Sequence, residues 1–125
     1  MLIIIDETPL SKNKYVNFHW NTRREYKEKI SWLIYEQKMF EKSIKPVEYA
    51  ELPYNKAKIT IDIFFKTKYR HDVQNYLGGG LIVFFDVLVD LGYITDDSEK
   101  VIGQPIVNVG YDADYPRTEI RIEKR

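Results

Sequence analysis

Apolar positions recur along this chain in two periods, and the periods divide it into elements. Met1 to Ile5 is a short continuous apolar run, which predicts a buried strand. Asp6 to Asn21, "DETPLSKNKYVNFHWN", is polar, with Pro9 and three asparagines, and predicts a loop. A helical period follows. Tyr26, Ile30, Leu33, Ile34 and Phe40 fall on one face and Lys and Glu on the other. Thr22 and Glu25 have the spacing of a capping box, so the helix is expected to start at Thr22 and to end at Pro46. "KITIDIFFK" (Lys58 to Lys66) alternates Ile59, Ile61 and Ile63 with Thr60, Asp62 and Phe64, the pattern of a strand. A second helical region is expected around Leu81 to Leu91. "PIVNVGY" (Pro105 to Tyr111) and "TEIRIE" (Thr118 to Glu123) predict two strands of a hairpin, with "DADYPR" as the turn between them. The order is β-α-β-α-β-β. That implies one α+β domain over residues 1–125, a mostly antiparallel sheet with two helices on one face.

The stretch Asp72 to Glu99, "DVQNYLGGGLIVFFDVLVDLGYITDDSE", departs from an ordinary amphipathic pattern. It carries six carboxylates and no Lys or Arg. Asp86 and Asp90 are four apart and share one helix stripe, where like charges repel. Asp96 and Asp97 follow Gly92, a good helix C-cap, at the end where the dipole prefers cations. Plain roles compete with chemistry here. The stripe is also what the exposed edge of a buried helix looks like, Asp72 suits a helix N-cap, and "DDSE" suits a solvated turn. Gly78, Gly79 and Gly80 would each cost roughly 1 kcal/mol inside a helix, so something must require them. Either the helix begins after them or another backbone packs closely there, a symmetry mate being one candidate. No Lys-Ser/Thr follows, which excludes a P-loop.

Composition narrows the classes. The chain is 44% hydrophobic and 14% aromatic over 125 residues, enough for a real core. No apolar run approaches the ~18 residues of a membrane span. Leu2 to Ile5 is too short for a signal-peptide core and no basic segment precedes it. There is no cysteine, so disulfides and thiolate zinc sites are excluded, and the cytoplasm is the expected compartment. The net charge is zero, but residues 1–70 hold 14 Lys and Arg against 9 acids, whereas residues 71–125 hold 5 against 10. The balance hides a basic half and an acidic half, a basic surface beside an acidic pocket.

Unneutralised carboxylates beside a basic surface suit phosphodiester hydrolysis. Mg²⁺ prefers carboxylate and water oxygens, activates water and stabilises charge on phosphoryl oxygens. A neighbouring Lys or Arg would compete with the ion. On this reading DNA affinity comes from Lys12, Lys14, Arg23, Arg24, Lys66, Lys68 and Arg70 as phosphate contacts, with Asn13, His19 and Trp20 in the N-terminal loop placed to touch the substrate. Trp20 equally suits a core anchor. His71 is placed to touch phosphate or to hydrogen-bond near the acids.

Taken together, "RHDVQN", "FFDVLVDLG" and "YITDD" resemble the RusA family of Holliday-junction resolvases, the phage-type crossover-junction endodeoxyribonucleases. The family pattern is a basic strand end, Asp-x-Asp-Asn, a helix ending Asp-x-Leu, then Gly and a closing Asp-Asp. "PLSKNKYVNFHW" is similar to the N-terminal opening of many members. The resemblance implies a homodimer that binds four-way DNA junctions by shape and cuts them with paired symmetric nicks, dependent on Mg²⁺ with Mn²⁺ as a substitute. It implies a phage or prophage origin in a bacterial cytoplasm. It assigns catalysis to Asp72, Asp86 and Asp97 and metal binding to Asp72, Asp86, Asp96, Asp97 and Gln74, and it adds Asn75 and His71 to the DNA contacts. Gln74 stands where the pattern has its second Asp, and no base falls in or beside the glycine run, where the pattern often has a Lys. The alternative that these departures suggest is a catalytically impaired junction-binding protein of the same fold. A protein-interaction domain with decorative acids is the third reading.

One further expectation concerns geometry. Were residues 75–91 a single helix, it would span about 25 Å and hold Asp72 and Asp97 at opposite ends. The acids then meet only if the chain folds back after Gly92, if the helix breaks at the glycines, or if two helices pack antiparallel in a dimer.

Overall fold

The computed structural model describes residues 1–68 and 71–125. Its element order is β1 (Leu2–Ile5), α1 (Lys12–Val16), α2 (Trp20–Ile44), α3 (Pro46–Ala50), β2 (Ala57–Phe65), α4 (Val73–Leu77), α5 (Gly80–Asp90), α6 (Glu99–Ile102), β3 (Ile106–Tyr111) and β4 (Arg117–Lys124). The fold is α+β: one four-stranded mixed sheet in the order β1-β4-β2-β3, with one long helix and several short ones.

The four strands lie where the alternation placed them, but the expected hairpin between β3 and β4 is absent. β4 pairs antiparallel with β2, Ile61 opposite Ile120, while β3 pairs parallel with β2 on its other side, Ile61 opposite Val107. Alternation reports which face of a strand is buried and says nothing of its partner. The parallel pairing is open to β3 because three helices separate it from β2, enough chain for a crossover. The segment after β3 then carries the chain across the end of β2. It is fastened there by the Asp112 amide, which donates to the Phe65 carbonyl at 2.9 Å. The Asp112 carboxylate accepts the amides of Asp114 and Tyr115 at 3.2 and 3.1 Å.

On β2, Ala57, Ile59, Ile61, Ile63 and Phe65 are buried, and Ile120 and Ile122 of β4 join them. Ile30 and Ile34 of α2 and Leu81, Phe84 and Leu88 of α5 complete one core. On the opposite face of the sheet Lys58, Arg121 and Glu123 are exposed, with Leu2 and Ile106 exposed beside them. No helix is long and apolar enough among the described residues to cross a membrane.

The long helix starts two residues before the expected Thr22. His19 is its N-cap, and His19 Nδ1 accepts the Asn21 amide at 3.3 Å, so Thr22 and Glu25 lie inside the helix and form no capping box. The helix ends at Ile44, and Pro46 begins α3, where its missing amide costs nothing. Phe40, expected on the inner face, is 65% exposed. The face that reaches the core is confined to the middle of α2, and its last turns run past the core. The N-terminal loop carries one unexpected turn of helix, α1, capped by the Ser11 hydroxyl.

Candidate acidic site and nucleic-acid surface

The acidic segment is two helices rather than one. Asp72 is the N-cap of α4, its carboxylate accepting the Gln74 amide at 3.0 Å. The chain breaks after Leu77 and restarts as α5 at Gly80. The glycines are required by close backbone packing, and the partner is the chain's own N-terminal loop rather than a symmetry mate. A Cβ on Gly79 would lie 2.6 Å from the Lys12 nitrogen and 2.7 Å from the Ser11 carbonyl carbon. The Gly80 amide donates to the Leu10 carbonyl at 2.8 Å. The aliphatic part of Lys12 passes over Gly78. A base therefore reaches the glycine run through space, although none stands there in sequence.

Beyond α5 the chain folds back. The Tyr93 amide donates to the Leu88 carbonyl at 2.9 Å, and Thr95 and Tyr54 are joined by an amide–carbonyl bond of 3.1 Å. This return brings Asp97 within electrostatic reach of Asp86. The Asp86 carboxyl is pushed above the usual carboxylate range, first by burial, with the charges of Asp97 and Asp90 adding to the rise and Lys27 opposing it. Lys27 is bonded to Asp90 at 3.0 Å. Asp86 is half-buried, and Asp72, Asp90, Asp96 and Asp97 are exposed, as are Gln74 and Asn75.

The structure thus places Asp97 within electrostatic reach of Asp86 and leaves Asp72, with Gln74, on a separate helix. Among the described residues, no three His, Asp or Glu side chains form a group that could hold a metal ion. One chain does not present the expected four-carboxylate cluster. Two carboxylates still match what Mg²⁺ asks of a protein, since it takes one or two of them, several waters and the phosphate of its substrate. Asp86 and Asp97 are a fitting pair because, among the described residues, neither enters an ion pair.

Of the expected phosphate contacts, Lys12, Asn13, Lys14, Arg24, Lys66 and Lys68 are exposed. Lys68 lies over the Tyr111 ring at 4.9 Å. Arg23 is committed inside the fold: its guanidinium donates to the carbonyls of Tyr15 and Val16 at 3.2 and 2.8 Å, and covers the Tyr15 ring. Arg70 lies outside the described residues. His71 stacks on Phe65 at 3.7 Å and its Nδ1 meets the Tyr76 hydroxyl at 2.8 Å, so it anchors α4 to β2. Trp20 is no core anchor: it is 64% exposed, with Arg24 over its ring at 5.7 Å.

One surface escaped the sequence reading. Trp32 and Tyr35 stand exposed on α2 with their rings edge to face at 5.8 Å, and they line a groove of about 370 Å³ with Leu91, Arg24 and Lys27. The signal was present, since neither aromatic falls on the Tyr26–Ile30–Leu33–Ile34 face. The chain matches no protein-family model and no curated protein.

Proposed function

We propose that the protein is a Mg²⁺-dependent, structure-selective endodeoxyribonuclease that resolves four-way DNA junctions by paired symmetric nicks, working as a homodimer. The observation that carries this reading is the Asp86–Asp97 pair. Burying Asp86 within reach of the charges of Asp97 and Asp90 is costly for the fold, and a divalent cation is a partner that offsets the cost. The exposed lysines at positions 12, 14, 66 and 68 support the choice of a polyanionic substrate.

Asp86 and Asp97 would hold the ion. Bound there, Mg²⁺ supplies a Lewis-acid contact for a phosphoryl oxygen and lowers the pKa of a bound water. The chain's own part is placement. Lys12, whose aliphatic chain passes over the glycine run, and Lys14 draw the phosphate backbone toward the acidic stripe. Lys27, bonded to Asp90 at 3.0 Å, offsets part of the repulsion that Asp90 adds at Asp86. Burial pushes the Asp86 carboxyl up, so it holds its proton to higher pH than a free carboxylate does.

The second reading, a junction-binding protein with impaired turnover, is favoured by two observations. Asp72 is spent on capping α4, and Gln74 brings no charge. One experiment separates the two. A labelled synthetic four-way junction is incubated with the protein and Mg²⁺ or Mn²⁺, beside the Asp97→Asn variant. Paired symmetric nicks that vanish in the variant are expected. Binding without nicking in either metal selects the second reading.

A further inference from the structure

We infer that the groove on α2 is a stacking platform for unpaired nucleotides of one DNA strand. The inference rests on the DNA-binding half of the proposed function and adds where the strand lies. Its floor is Trp32, Tyr35 and Leu91, and its rim carries Arg24 and Lys27 together with Glu28, which lies 3.9 Å from Arg24. Aromatic rings bind bases of any sequence through their π-faces, and neighbouring cations hold the backbone.

The platform extends along the helix. Trp20, Arg24, Lys27, Ser31 and Tyr35 are spaced three or four residues apart, with Trp32 beside them, so they form one stripe about 22 Å long. An aromatic ring stands at each end of it with Arg24 and Lys27 between, and Arg24 already lies over the Trp20 ring. The stripe borders the acidic site directly, because Lys27 bonds Asp90 at 3.0 Å. A strand stacked on Trp32 has its phosphates beside Lys27, at the edge of the carboxylates of α5. Pairing and stacking in a duplex keep bases out of such a groove, so it would favour unpaired segments of a strand. A second copy of this chain suits the groove less well. The rim is charged, and the groove is small against the area that a stable dimer buries.

The test is fluorescence anisotropy of a labelled oligothymidylate titrated with the full chain and with Trp32→Ala, Trp32→Phe and Tyr35→Ala, folding being checked by circular dichroism. Stacking predicts that Trp32→Ala weakens oligonucleotide binding about tenfold, that Trp32→Phe recovers most of it, and that blunt duplex affinity hardly moves. Oligonucleotide binding unchanged in Trp32→Ala overturns the inference. So does a dimer that Trp32→Ala splits, by sedimentation, while oligonucleotide affinity stays the same, since the groove is then a self-association surface. Junction nicking by the wild-type protein is scored separately. Trp32-dependent oligonucleotide binding without nicking keeps this inference and removes the nuclease. Nicking together with Trp32-independent binding does the reverse.

Discussion

Gly80 and Leu10 are joined backbone to backbone. The Gly80 amide donates to the Leu10 carbonyl at 2.8 Å, and the Leu10 amide donates in turn to the Tyr26 hydroxyl at 3.3 Å. Burial pushes the Tyr26 pKa up to about 12, so the hydroxyl stays neutral in this contact. A methyl group on Gly80 would meet that hydroxyl at 2.8 Å and the Leu10 carbonyl at 3.0 Å. Gly80→Ala should therefore lose about 2–3 kcal/mol, with Gly79→Ala similar, because backbone has to move. Gly78→Ala is the control. Its nearest neighbour is the flexible end of Lys12 at 3.4 Å, and its effect should stay within about 0.5 kcal/mol. Thermal melts check the order. Equal gains at all three positions would show that helix propensity and not packing governs the glycines.

The raised pKa of Asp86 has a signed consequence. Below the ordinary carboxylate value the group is protonated in folded and unfolded chains alike. As pH rises from there toward the folded value, the unfolded chain ionises first and stability falls. Above the folded value the whole penalty is present. Asp86→Asn should thus raise the melting temperature at neutral pH, and the gain should close on acidification. Mg²⁺ should stabilise the wild type, by about 2.7 kcal/mol at a hundredfold excess over Kd, and leave the variant unmoved. A neutral-pH loss of stability in Asp86→Asn without metal would contradict the account of the site.

Arg117 makes a different prediction, about the crossing between β3 and β4. Its guanidinium lies between the rings of Phe64 and Tyr115, at 4.0 and 4.8 Å, and bonds Asp112 and Glu119 at 2.9 and 2.8 Å. Its side chain is 17% exposed, against 68% for Arg24, whose contact with Glu28 is 3.9 Å long. Arg117→Ala should lower the melting temperature clearly and Arg24→Ala hardly at all. Arg117→Lys should recover little, since an ammonium cannot serve both carboxylates and stack between two rings. Arg117 also holds the Asp112 carboxyl below its usual range, helped by the Tyr115 amide. That contribution is present above the ordinary carboxylate pKa and is lost as pH falls through the depressed one, so Arg117→Ala should flatten the acid limb of the stability curve.

What was legible in the sequence follows from what is local. Ile59, Ile61 and Ile63 had to face a core whatever lay beside them, so all four strands were readable. Which strand lies beside Ile61 is decided by tertiary packing, and the parallel β3 was not readable. The start of α2 was misplaced because His19, a weak N-cap by type, won over Thr22 once the loop around α1 fixed the chain direction. The glycine run announced a close approach but not its partner, since Leu10 to Lys12 lie about seventy residues away. The acids were visible as a set. That the fold would bring Asp97 within electrostatic reach of Asp86 and put Asp72 on a separate helix depends on the break at Gly79 and the return after Gly92, and neither has a spacing rule.

The separation of Asp72 from Asp86 and Asp97 leads to the last prediction. If all three serve one reaction, Asp72 must come from a second copy of the chain. Asp72→Asn tests its charge without harming the helix, since Asn caps about as well as Asp. Each of Asp72→Asn and Asp97→Asn alone should lose nicking. Refolded together, the two variants should recover roughly a quarter of the wild-type sites, because half of the mixed dimers are heterodimers and each holds one intact site. The recovered activity should give single nicks, since a heterodimer can cut only one strand. No recovery from the mixture would place the working acids within one subunit, and full activity of Asp72→Asn alone would reduce that residue to the cap seen at the start of α4.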